Sequence, residues 1–97
     1  MGGVGAKPES AFLAGGIRHV FCVRLQVPGF GSRYVPYLQE DGSDQYLGVA
    51  RARAGLRSYS DFGRMIDWLD RRYGYQDKIC VVQPGHADIS RLGLVMP

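Results

Sequence analysis

Residues 17–27 alternate between apolar and more polar side chains, with the apolar ones at the odd positions from Ile17 to Val27. A period of two over this length fits a β-strand and cannot be satisfied by a helix. The sequence therefore predicts a long strand here, with its odd-numbered side chains facing the core.

Two further strands are predicted on either side of an acidic turn. Residues 34–39 contain Pro36, which cannot donate to a ladder, so an edge strand is expected there. The Asp-Gly pair within residues 40–44 is typical of a hairpin turn and leads into a third strand over residues 45–54. A helix over residues 49–56 is the alternative, because alanine and arginine are good helix formers. The sequence alone does not decide between the two.

Residues 61–73 have the pattern of an amphipathic helix. Their apolar side chains recur every three or four residues and form one continuous stripe, which consists of Phe62, Met65, Ile66, Leu69 and Tyr73. Ser60 is predicted to cap the start of this helix, and Gly74 is predicted to end it.

The remaining apolar run, residues 78–83, predicts a fourth and mostly buried strand, and residues 86–97 are expected to form irregular structure or a short edge strand. The order β-β-β-α-β favours an α+β fold, in which a small and mostly antiparallel sheet carries one helix on one face. A chain of 97 residues fits a single domain. Its glycine-rich residues 1–10 are expected to be flexible.

The sequence carries no motif of an enzyme or a metal site. It has only two histidines, no Gly-x-Ser-x-Gly pattern and no phosphate-binding loop with the Walker spacing. Cys22 and Cys80 each lack a second cysteine at the spacing that zinc requires. We therefore expect a protein without catalytic activity, cofactor or metal.

The same two cysteines bear on the cellular location. Cys22 and Cys80 both sit in apolar runs and are expected to be free, buried thiols, although the sequence does not establish whether they pair. The start of the sequence lacks the pattern of a secretory signal, and no apolar run approaches the roughly 20 residues needed to span a bilayer. A cytoplasmic location without membrane contact is expected.

Charge points to an anionic partner. The formal net charge is +3, and arginine supplies most of the basic residues. Arg51 and Arg53 would project the same way from a strand, about 7 Å apart, with Arg57 nearby. Tyr46 and Tyr59 are placed to stack on bases. This arginine stripe predicts a nucleic-acid-binding surface, and an ordinary solvated face is the alternative.

A second binding surface is predicted around Trp68, at the border of the apolar stripe of the helix. Arg64, Arg71 and Arg72 lie near it on the same helix. Tryptophan and arginine are enriched among the residues that dominate protein–protein binding, so this surface predicts a protein partner. The alternative is that Trp68 closes the edge of the core.

The arrangement of residues 37–74 resembles a known group of proteins. An acidic hairpin leads into a strand over residues 45–49, then into the Tyr59-Ser60 pair and the Trp-bearing helical segment 65–69. This plan is similar to that of small accessory proteins of bacteriophages and mobile elements, including some anti-CRISPR proteins. The resemblance implies a non-enzymatic inhibitor that occupies a nucleic-acid-binding or docking surface of a host defence complex.

Three functions follow from these observations. The first prediction is a protein-binding accessory factor of the anti-CRISPR type, encoded by a phage or mobile element. The second is a small nucleic-acid-binding module that uses the arginine stripe. The third is a subunit that pairs an edge strand in a homo- or hetero-oligomer.

Overall fold

A computed structural model describes residues 5–97 of the chain. The described residues form a five-stranded sheet, one long helix and one short helix. In chain order the elements are β1 (Ala6–Pro8), a 3-10 turn (Glu9–Ala11), β2 (Ile17–Val27), β3 (Gly31–Glu40), β4 (Leu47–Ala50), α1 (Phe62–Tyr73), β5 (Ile79–Val82) and α2 (Ala87–Arg91).

The sheet has the spatial order β1-β4-β3-β2-β5 and is mixed. The β2–β3 and β3–β4 pairs are antiparallel, whereas the β1–β4 and β2–β5 pairs are parallel. The predicted α+β class is confirmed, but the sheet is less antiparallel than expected. The reason lies in the connections, because α1 carries the chain back before β5 and thus lets β5 run parallel to β2.

Pro36 does not mark an edge strand, because β3 is the middle strand of the sheet. Tyr34 exchanges backbone hydrogen bonds with Tyr59, on the side of β3 that faces away from β2. Alternation places the nitrogen of Pro36 on that same side. The ladder with β4 there contains only Tyr37 and Leu38. The missing N–H of Pro36 therefore falls in a gap of the ladder, where it costs no hydrogen bond.

Both faces of β2 are buried, whereas the sequence predicted one. The odd-numbered Phe21 and Val23 belong to one buried cluster, and the even-numbered Val20 and Cys22 belong to another. Helix α1 covers the second cluster, and the chain after α2 covers the first with Leu94 among its buried residues. The tail after β5 has no clear period, so its sequence gave no sign that it would cover a face.

Helix α1 forms where the sequence predicts it, with one change at its start. Asp61 rather than Ser60 is the N-cap, and its carboxylate accepts a hydrogen bond from the backbone N–H of Arg64 at 3.1 Å. Gly74 ends the helix in the left-handed region, with φ +70°, as predicted. Met65 and Leu69 of the predicted stripe are fully buried.

Residues 45–54 are neither a full strand nor a helix. Only Leu47–Ala50 is extended in the sheet, and residues 51–54 form a bend that closes at Gly55, whose φ is +82°. The N–H of Arg51 donates to the carbonyl of Gly55 at 3.1 Å. Arg51 and Arg53 therefore do not lie on a strand, and the predicted arginine stripe has a different geometry.

The two ends of the sheet also differ from expectation. Ala6–Pro8, within the residues 1–10 that are expected to be flexible, is an edge strand that the sequence did not predict and that pairs with β4. Residues 1–4 lie outside the described part of the chain. Strand β5 is the opposite edge rather than a mostly buried strand, and Cys80 and Val81 within it are exposed.

The two cysteines are free but differ in reactivity. Cys22 is fully buried, and burial raises the pKa of its thiol to about 12, while Cys80 is exposed. We expect a thiol reagent at pH 8 to modify one cysteine in the folded protein and two after denaturation, because only a thiolate reacts. Mass spectrometry of the labelled protein checks this, and labelling of Cys22 before Cys80 would contradict the burial.

Candidate functional site

An open cleft of about 690 Å³ lies where β1, the segment after β4 and helix α1 meet. Its wall includes four arginines and one acid, which are Arg33, Arg51, Arg57, Arg72 and Glu9. Their net formal charge is +3, and the whole chain has the same net charge of +3. The rest of the chain is therefore neutral in sum, and the basic character of the protein is concentrated here. We call this site the basic cleft.

Glu9 organises the side of the basic cleft that faces α1. Its Oε1 accepts a hydrogen bond from Nη1 of Arg57 at 3.1 Å. Its Oε2 accepts one from the indole Nε1 of Trp68 at 2.7 Å and lies 3.5 Å from Nε of Arg72. The hydroxyl of Tyr73 donates to the backbone carbonyl of Glu9 at 2.8 Å. One carboxylate thus holds two arginines and the only tryptophan in fixed positions.

Arg57 is stacked as well as hydrogen-bonded. Its guanidinium lies 5.0 Å from the ring centre of Trp68 and 5.5 Å from that of Tyr59. Its Nε also donates to the hydroxyl of Tyr59 at 2.6 Å. Burial raises the pKa of Tyr59 by more than this hydrogen bond lowers it, so the phenol stays neutral at physiological pH. Arg57 is therefore held in place by its contacts before any ligand binds.

The opposite wall of the cleft comes from β3 and the bend after β4. Arg33 of β3 donates from Nη2 to the hydroxyl of Ser58 at 2.9 Å and to its carbonyl at 3.2 Å. Arg51 lies at the rim, and its side chain is exposed. The cleft therefore combines arginines that protein contacts orient with one that faces solvent.

The structure brings together only some of the residues that the sequence singled out. Arg51, Arg57, Arg72 and Tyr59 line the basic cleft, and Trp68 supports Arg57 from behind.

The other predicted site residues lie outside the cleft lining. Arg53 is exposed in the same bend as Arg51, and Arg64 and Arg71 are exposed on α1. Tyr46 packs edge-on against Phe21, with ring centres 6.0 Å apart, and joins the cluster covered by the C-terminal segment. Tyr46 therefore has no place in the arginine surface.

Sequence reasoning did not identify Glu9, Arg33 and Ser58 as residues of the cleft. Glu9 falls in a glycine-rich stretch that has no periodic pattern, and Arg33 precedes the predicted start of its strand. Ser58, which orients Arg33, has nothing in its local sequence to mark it. Glu9 is one of nine acidic residues and no arginine is near it in the sequence, so its role becomes visible only once the fold is known.

Trp68 is half-buried, and its indole N–H is already bonded to Glu9. Its ring packs against Tyr59 and, edge-on, against Tyr73, with ring centres 5.5 Å apart in both pairs. Trp68 is thus used largely for contacts within the protein. This arrangement fits the alternative in which Trp68 closes the edge of the core.

Within residues 5–97 no group of three or more His, Cys, Asp or Glu side chains is arranged to hold a metal ion. In the same part of the chain, no helix has the length and apolar character that crossing a membrane requires. Comparisons of this chain with protein-family models, with curated proteins and with solved structures find no match.

Proposed function

We propose that the protein binds nucleic acid by contacting phosphates in the basic cleft. The observation that carries this proposal is the concentration of the entire net charge of +3 in one open cleft with four arginines. A guanidinium presents a planar set of donors that matches phosphate oxygens. Neutralising backbone phosphates releases counterions, which supplies most of the affinity of non-specific binding.

The lining of the cleft favours nucleic acid over an acidic protein. Its apolar contributions are small, with Pro8, Ala50 and Ala52 beside the arginines. Protein–protein binding is dominated by tryptophan, tyrosine and arginine anchors in well-packed pockets, and here Arg57 already covers the rings of Tyr59 and Trp68. Protein–nucleic acid interfaces are more polar and much more positively charged. The chemistry of this cleft matches the second kind of interface.

The contacts within the cleft also indicate how the ligand is recognised there. Arg57 covers the rings of Tyr59 and Trp68, so these aromatic faces are in use inside the protein. The donors left to face a ligand are guanidinium groups, which bind phosphate regardless of the base. Recognition within the basic cleft is therefore expected to be independent of sequence and strongly dependent on salt.

The decisive test is the substitution Arg51→Glu, because the side chain of Arg51 is exposed and lines the cleft. We expect affinity for a labelled oligonucleotide to fall by roughly tenfold, with a flatter salt dependence, since one phosphate contact becomes a repulsion. Fluorescence anisotropy between roughly 50 and 200 mM salt measures both quantities.

Arg18→Glu is the matched control, because it changes the charge equally at the far end of the sheet. Arg18 is exposed and donates to the carbonyl of Ser43. Arg18 lies next to Ile17, which pairs with Glu40 of β3. Glu40 is seven residues along β3 from Arg33, so Arg18 is roughly 23 Å from the part of the cleft at Arg33. Equal losses from both substitutions, or no binding by the unaltered protein at low salt, would rule out a site in the cleft.

A protein-binding accessory role of the anti-CRISPR type is the second proposal. It is supported by an apolar groove of about 300 Å³ between α1 and β5, whose lining includes Phe62, Ile66 and Tyr75. Ile66 is 41% exposed although it belongs to the apolar stripe of the helix. A complex with a bacterial defence protein that survives nuclease and is retained by Arg51→Glu would favour this role over nucleic-acid binding.

A cytoplasmic location accompanies either proposal. Cys22 and Cys80 are both free, and Cys80 is exposed. Exposed free thiols persist in reducing compartments and are oxidised elsewhere. Nucleic acid, which the basic cleft would bind, is abundant in the cytoplasm.

A further inference from the structure

A second groove adjoins the basic cleft. It has a volume of about 320 Å³ and shares Arg33, Arg51 and Ser58 with the cleft. Its other lining side chains are all apolar. They are Leu25, Val27, Phe30, Val35, Leu56 and Pro97. The three shared residues therefore form a ridge with a charged cleft on one side and an apolar groove on the other. We call the second site the Phe30 groove.

Phe30 projects from the turn between β2 and β3 into solvent. It is 79% exposed, more than any other large apolar side chain in residues 5–97. Gly29 and Gly31 on either side adopt left-handed conformations, with φ of +81° and +78°, which are accessible to glycine at no steric cost. The tight turn thus presents an aromatic ring at its tip, and Phe30 joins neither buried cluster.

We propose that Phe30 is a stacking platform for an unpaired base of a single-stranded nucleic acid. This inference rests on the proposed function and adds the strandedness of the ligand. The backbone would lie in the basic cleft and cross the ridge at Arg33 and Arg51, while a base enters the Phe30 groove. Proteins that bind single strands combine these two features, a positive groove for the backbone and an aromatic side chain for a base.

The lining of the Phe30 groove suits a base and does not suit a phosphate. Leu25, Val35 and Leu56 offer an apolar wall next to the ring, whereas the charged groups lie only on the shared ridge. In a duplex the faces of the bases are stacked on one another and cannot reach Phe30. Single strands expose these faces, and every base has one, so the stacking contact would not depend on sequence.

The basic cleft and the Phe30 groove are continuous, and this links the ring of Phe30 to a ligand bound in the cleft. Arg33, Arg51 and Ser58 line both the cleft and the groove, so a phosphate held at the ridge would place its own base or the next one beside Phe30. An isolated exposed phenylalanine would carry no such implication. Here the ring stands at the end of the surface that holds the net positive charge of the chain.

The test compares Phe30→Ala with the unaltered protein on a single-stranded 12-nucleotide oligomer and on the duplex of the same sequence. We expect about a tenfold weaker affinity for the single strand, which is within the range of one lost base–aromatic contact, and no change for the duplex. Phe30→Trp should keep the affinity for the single strand. Leu13→Ala is the matched control, because Leu13 is 69% exposed and lies outside the lining of both sites.

The outcomes separate this inference from the proposed function. If Phe30→Ala changes neither ligand while Arg51→Glu weakens both, the stacking platform is overturned and the basic cleft stands. Equal weakening of the single strand and the duplex by Phe30→Ala would also overturn it. If Arg51→Glu changes nothing, nucleic-acid binding in the cleft fails. Thermal unfolding of Phe30→Ala should match that of the unaltered protein, since the ring is exposed.

Discussion

Replacing Leu69 by alanine is expected to lower the free energy of unfolding by about 2–5 kcal/mol. Leu69 is fully buried on the inner face of α1, in a cluster that also contains Val20, Leu38 and Val49. The substitution removes apolar contacts and leaves a cavity that the two long strands β2 and β3 cannot collapse to fill. A small domain has a total stability of only about 5–15 kcal/mol, so a large share of it would be lost.

Ile66→Ala is the matched control, because Ile66 belongs to the same helix and the same predicted stripe. Its side chain is 41% exposed, so the expected loss is below about 1 kcal/mol. Urea titration followed by the fluorescence of Trp68, the only tryptophan, measures both variants. A loss at Ile66 as large as the loss at Leu69 would contradict the packing of α1 described here.

The helix could be predicted because its information is local. The apolar spacing, the residues at the start of the helix and Gly74 at its end all lie within residues 60–74, although the cap is Asp61 and not the predicted Ser60. The stripe did not reveal which of its members would be covered. Met65 and Leu69 meet β2 and β3, but Ile66 borders a groove, because the part of the sheet beside it is the edge strand β5.

The sheet could be predicted only in part, since strand order depends on contacts far apart in the sequence. The period of two in residues 17–27 identified β2, but nothing in it showed that both faces would be buried. Pro36 favoured an edge strand because proline has no N–H to donate, and this argument holds where the ladder on both sides of the strand is complete. In this sheet the ladder beside Pro36 is incomplete, because the pairing of β4 with β3 ends at Gly48 and the carbonyl of Val49 accepts from the N–H of Arg57 instead.

The sequence indicated which arginines would belong to a binding site, but it did not show how the fold would arrange them. The sequence singled out Arg51, Arg57 and Arg72, but assigned them to two different surfaces. The fold brings them to one cleft, because β1 and the 3-10 turn place Glu9 between the bend and the helix. A three-residue strand is too short to leave a periodic pattern, so the residue that organises the cleft could not be recognised beforehand.

Loss of the Glu9 carboxylate is expected to have opposite effects on stability and on binding. Glu9→Ala should lower the free energy of unfolding by about 2–3 kcal/mol, because Arg57, Trp68 and Arg72 lose a shared, partly buried acceptor. Glu9→Gln should cost less, since its amide oxygen still accepts from the indole N–H. Urea titration of the two variants measures this difference.

Binding should improve in the Glu9→Gln variant, because the net charge of the cleft rises from +3 to +4. We expect roughly two- to fivefold tighter binding of an oligonucleotide at low salt, the usual range for one partly exposed charge. Screening should erase the gain at high salt. Asp44→Asn is the matched control, because it removes an equal charge from the exposed acidic turn outside the cleft. Weaker binding by Glu9→Gln would mean that the carboxylate acts mainly by positioning Arg57 and Arg72, and that their orientation matters more than the charge of the cleft.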